Sequence, residues 1–285
     1  MNNAHHPTDL QRAILLTLRE LDRVCQVLDV SYAAYGGTAI GAVRHQGFIP
    51  WDDDADVCMP REDYDRFLAE APGVLGKDFV LLSQASHPGY CRPFAVLGLE
   101  GTAFVSSASA TSSQRSPTIP VGLDVFPLDV MPQDQRVFAR QSRRTWWWGR
   151  LMFLAVSPSP QTGLPFPLAQ AASAVFRTVH WALGAARVTP AVLYRRWERA
   201  ARAGEGTGSQ VLADYCTRDP RRWSVRRDEL FPVARMPFED IEIAVPGKYD
   251  DVLTRGYGLY MQLPPPEERM THDPVLVDLG RFADA

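Results

Sequence analysis

Lysine is nearly missing from this chain. Of its 30 basic residues only Lys77 and Lys248 are lysine, and the rest are arginine. An excess of either charge is missing too. The net charge of −3 excludes general electrostatic attachment to nucleic acid or to an anionic membrane surface. Cysteine is sparse, at Cys25, Cys58, Cys91 and Cys216, with no C-x-x-C among them. That spacing excludes a zinc knuckle and a dense disulfide framework, and it fits a reducing compartment. No stretch of 18 uninterrupted apolar residues occurs, so no membrane-spanning helix is expected. The opening MNNAHHPTDLQ lacks the apolar segment of a secretory signal, so the expected location is the cytoplasm.

What is present is an ordinary globular composition, 46% hydrophobic and 22% charged over 285 residues. That is enough chain to bury a full core, as one large domain or two small ones. Leu10, Ile14, Leu18, Leu21, Cys25 and Leu28 recur at three- and four-residue steps, predicting a helix over 8–29 with Thr8 as N-cap. A short strand is expected at 31–35, broken by Gly36-Gly37, and a short helix starts at or near Thr38. Alternation predicts a strand at 54–58, and further strands are expected in FVLLSQ, CRPFAVLGL, TAFV and GLDVF. The Ser/Thr-rich stretch 106–118 reads as a surface loop. Residues 134–203 have helical spacing, 235–246 reads as a hairpin, and 248–255 as a helix. The expected fold class is α+β, with a mixed sheet flanked by helices and a helical insert in the second half.

The segment YGGTAIGAVRHQGFIPWDDDADVCMP carries the chemistry. Asp54 and Asp56 are two apart in a predicted strand, so their carboxylates share a face. Parallel carboxylates repel, and a divalent cation such as Mg²⁺ or Mn²⁺ resolves that. Gly36-Gly37 forms a turn where a phosphate can approach the backbone and meet the N–H groups of the following helix. Gly-Gly, about sixteen residues, then Asp-x-Asp is the pattern of a nucleotidyltransferase fold. GLDVFPLD offers Asp124 as a third carboxylate, a metal ligand and the candidate general base for an acceptor hydroxyl. Asp53 reads as a loop carboxylate capping the strand entrance, a reading Asp52 also admits. Arg44 and His45 either bind phosphate or tie to Asp52 or Asp53. Trp51 is read as packing in preference to base stacking.

The run GGTAIGAVRHQGFIPWDDDADVCMPREDYDRF resembles the signature of the LicD family, and GLDVFPLDVMP and residues 236–273 resemble its second and closing blocks. The resemblance implies a nucleotidyltransferase-like core over 1–132, a helical acceptor-side region over 133–230 and a closing segment over 231–285. It implies a metal-dependent transfer of a substituted phosphate, phosphocholine-like or phospho-polyol, from a CDP-activated alcohol to a hydroxyl of a glycan, lipid-linked sugar or small metabolite. It assigns Gly36, Gly37 and Thr38 to donor phosphates, and Asp54, Asp56 and Asp124 to the metal. His272 falls at the family's closing histidine. Two positions depart from the pattern: a lysine common near Val96 is missing, and Leu259 stands where an aspartate is common.

The poorly matched middle holds three arginine clusters: 136, 140, 143 and 144; 195, 196, 199 and 202; and 218, 221, 222, 226 and 227. They read as solvated helix faces, or as a basic rim for an anionic acceptor or lipid headgroup. WWWGRLMFLAV reads as core, with peripheral membrane contact as its alternative. Two other functions compete: transfer of a nucleoside monophosphate to a small molecule with pyrophosphate release, and a non-catalytic binding protein on the same fold.

Overall fold

The computed structural model describes residues 7–106, 117–158, 165–269, 271 and 274–283. The first helix, α1 (Asp9–Leu28), starts at a capping box in which the Gln11 N–H donates to Thr8 Oγ1 at 3.1 Å. The Gln11 side chain accepts the Thr8 N–H at 3.0 Å in return. Its apolar stripe, Ile14, Leu18, Leu21 and Cys25, is buried against a central sheet. Gln11 is itself buried, and its amide donates to the carbonyls of Ile49 and Asp52, fixing the acidic loop to the core.

Six strands occupy the first half: β1 (Ala33–Ala34), β2 (Asp56–Pro60), β3 (Phe79–Leu82), β4 (Ala95–Leu99), β5 (Ala103–Ser106) and β6 (Gly122–Val130). The sheet order is β1-β2-β6-β4-β3, with β2 parallel to β6 and the other neighbours antiparallel. Between β1 and β2 runs α2 (Gly36–Ile40), continued by a π turn over Gly41–His45. The expected helix therefore begins two residues early, with both glycines inside its first turn. The strand expected at 54–58 begins at Asp56, so Asp54 lies just before it. β2 runs into α3 (Arg61–Glu70).

The second half holds α4 (Gln135–Val156), α5 (Leu168–Ala185) and α6 (Pro190–Ala201). Two short strands follow, β7 (Val211–Ala213) and β8 (Ser224–Arg226), which no alternation announced. They extend the sheet to seven strands, because β7 pairs with the end of β6. A one-turn α7 (Arg227–Leu230), the hairpin β9 (Ala234–Phe238) and β10 (Ile241–Val245), and α8 (Tyr249–Tyr257) complete the core side. β11 (Pro274–Asp278) pairs with β5 apart from the main sheet. His272 and most of the 106–118 stretch lie outside the described residues.

A buried ion pair joins these parts. Arg61 donates twice to Asp129, at 2.8 and 2.7 Å, and its guanidinium lies over the rings of Tyr64 and of Trp197 on α6. Among the described residues, no helix is long and apolar enough to cross a membrane.

Candidate active site

The site forms where β2, β6 and the first turn of α2 meet. Asp56 opens β2 and stands in register with Asp124 on β6. Asp124 is in register with Val96 of β4 on its other side. The Asp56 N–H donates to Thr38 Oγ1 at 2.8 Å, so buried Thr38 aligns α2 with β2. Gly36 has φ +56, and a Cβ there would sit 3.2 Å from Asp56 Oδ2. A Cβ on Gly37 would sit 2.6 Å from Asp52 Oδ2. Gly36 is thus required by its left-handed backbone, and both glycines lie close to carboxylate oxygens.

These carboxylates form a dense group. Burial pushes the Asp56 carboxyl well above the usual range, and the charges of Asp54, Asp124 and Asp52 push it further. Among the described residues, candidate ligand atoms of Asp52, Asp53 and Asp54 lie within 4.8 Å of one another. Asp52 and Asp54 belong to both groupings. Crowded carboxylate oxygens are a hard donor set, and they fit Mg²⁺ or Mn²⁺. The sequence reading favours a loop role for Asp53 and leaves Asp52 open. The contact of Asp52 with Gly37 brings Asp52 in, and only the bend of the 46–53 loop could reveal it.

Two hollows open on the carboxylates. The larger, about 680 Å³, is lined by Gly37, Asp52, Asp54 and Asp56 and closed by Tyr257 and the 259–268 segment. That volume suits a small-molecule ligand. The smaller, about 90 Å³, includes Asp53, Asp54, Asp124, Val96 and Arg92. Arg92 lies 3.7 Å from the Asp124 carboxylate.

Arg44 lines the larger cleft, but its guanidinium donates to the carbonyls of Tyr260 (2.5 Å) and Gln262 (3.2 Å) and to His45 Nε2. It fastens the closing segment over the cleft. His45 stands edge-on to Trp51, and Arg269 covers the other part of that ring at 4.4 Å. Trp51 packs against the core. Leu259 is exposed at the cleft rim.

Residues 29–87 match the family described as LicD/FKTN/FKRP, nucleotidyltransferase domain. The chain is 53% identical over 64 residues to the lipopolysaccharide cholinephosphotransferase LicD of Haemophilus influenzae, which covers 19% of this chain and 24% of that protein. It is 51% identical over 35 residues to protein RP689 of Rickettsia prowazekii, 12% of this chain and 13% of that one. The matched segment thus spans about a quarter or less of these relatives. It contains Gly36, Gly37, Thr38, Asp52, Asp54 and Asp56, and stops short of Asp124.

Proposed function

Residues 29–87 place the chain in the LicD family, and on that premise we propose that it is a metal-dependent phosphotransferase moving a substituted phosphate from a CDP-activated alcohol to a hydroxyl of a glycan, lipid-linked sugar or small metabolite. The observation that carries the reading is the in-register pair Asp56 and Asp124, set beside a glycine turn that carboxylate oxygens approach closely.

Asp54, Asp56 and Asp124 would hold Mg²⁺ or Mn²⁺. When bound, the metal offsets charge on the donor's diphosphate and on the leaving CMP. The bare backbone of Gly36 and Gly37 lets the diphosphate lie against the start of α2. Arg44 holds the 260–262 segment down as the far wall of the donor cleft. Asp124 also lines the smaller hollow, where Arg92 lies 3.7 Å from its carboxylate. There its carboxylate accepts the proton of the attacking hydroxyl.

The test is product analysis. The protein is incubated with Mg²⁺ or Mn²⁺ and a panel of nucleoside triphosphates, CDP-choline, CDP-ethanolamine, CDP-glycerol and CDP-ribitol. The expected result is CMP from one CDP-alcohol, lost in Asp54→Ala and Asp56→Ala. Pyrophosphate release from a nucleoside triphosphate would overturn the reading in favour of nucleotidyl transfer.

A further inference from the structure

A cavity of about 320 Å³ lies between the sheet and α4, outside the matched family segment. Arg92, Arg150, Arg218, Trp146, Phe153 and Tyr215 line it, and no carboxylate does. Arg92 also lines the hollow that holds Asp54 and Asp124, so the two spaces share one wall.

The arginines of this cavity call for a ligand. Arg150 lies 5.6 Å from the Trp146 ring centre, and among the described residues neither it nor Arg218 pairs with a carboxylate. The neighbours of Arg218 in its cluster are all engaged: Arg221 with Gln135, Arg222 with the Gly256 carbonyl, Arg226 with Asp228 and Arg227 with Glu62. Arginine forks bind phosphate and carboxylate in bidentate fashion, and aromatic faces suit the ring of a sugar.

We infer that this cavity is the acceptor subsite, and that it takes a sugar bearing an anionic group, with Arg150 and Arg218 on the anion and Arg92 at the wall toward the reacting carboxylates. The inference rests on the proposed phosphotransferase only for the word acceptor; the binding of a sugar anion stands by itself.

The test is calorimetric binding to the full chain, with tryptophan fluorescence as a second readout. Ligands are glucose 1-phosphate, glucose 6-phosphate, glucuronate, inorganic phosphate and methyl glucoside. Binding of at least one sugar anion is expected, at least tenfold tighter than methyl glucoside and inorganic phosphate. Arg150→Gln/Arg218→Gln should weaken it at least tenfold while slow CMP release without acceptor stays unchanged. Asp54→Ala should leave it intact, so failure of the donor chemistry and failure of the subsite read out separately. No binding of any anion, equal binding of methyl glucoside, or full binding in the double variant would overturn the subsite.

Discussion

The guanidinium of Arg92 lies 3.7 Å from the carboxylate of Asp124, beside a strand position, Val96, that faces Asp124 with a buried apolar side chain. The family pattern commonly carries a lysine near that strand position. Here Arg92, four residues upstream of Val96, brings a cation to Asp124. Arg92 over the ring of Phe94 is also held in place by that ring, at 5.6 Å. Replacing it with Gln removes a partly exposed ion pair worth up to about 1 kcal/mol, so turnover should fall by up to about fivefold. Arg92→Lys should recover part of that. Steady-state CMP release checks both, and unchanged rates in Arg92→Gln would remove Arg92 from the site.

The glycine turn gives a second prediction. Gly37→Ala sets a methyl 2.6 Å from Asp52 Oδ2, and Gly36→Ala adds left-handed strain at φ +56 beside Asp56. The backbone penalty at Gly36 is about 1 kcal/mol, small against the stability of a domain. Both variants should therefore fold, yet lose donor-dependent turnover by more than tenfold. Circular dichroism with CMP release separates the two effects.

Much of the architecture was readable beforehand, for identifiable reasons. α1 announced itself because its capping residues and its stripe lie within one short stretch. β6 did so because Leu123 and Val125 alternate with Asp124. β7 and β8 stayed hidden because three-residue strands carry too few side chains for a period to show. The third carboxylate was legible as a motif, while Asp52 entered only through its contact with Gly37. The Arg61–Asp129 pair joins residues 68 apart, and local patterning holds no record of such a partner.

That pair sets a stability test. Arg61 and Asp129 are both almost fully buried, so removing one leaves the other charge stranded. Arg61→Met should cost about 3–5 kcal/mol. Arg61→Met/Asp129→Leu removes both charges and should regain most of it. Denaturant unfolding of the three proteins measures the difference, and an Arg61→Met variant as stable as wild type would show that the pair contributes nothing.

Asp214 supplies a pH signature away from the carboxylate group. It is fully buried, accepting the Cys216 N–H at 2.7 Å and the Tyr35 hydroxyl at 3.3 Å. Burial outweighs those bonds and pushes its carboxyl up to about 6 from 3.8. A raised carboxyl holds its proton in the folded state where the unfolded chain has released it. Its contribution is therefore fully present below the unfolded value near 3.8, and is lost as pH rises through about 6. At neutral pH the buried charge costs up to roughly 3 kcal/mol. Asp214→Asn keeps the shape without the charge, so it should melt higher than wild type at pH 8. The gap should narrow as pH falls through about 6 and close only below about 3.8, where the unfolded carboxyl is protonated too. Melting curves across that range decide it, and a gap independent of pH would mean that the buried carboxylate is stabilised by partners its hydrogen bonds do not reveal.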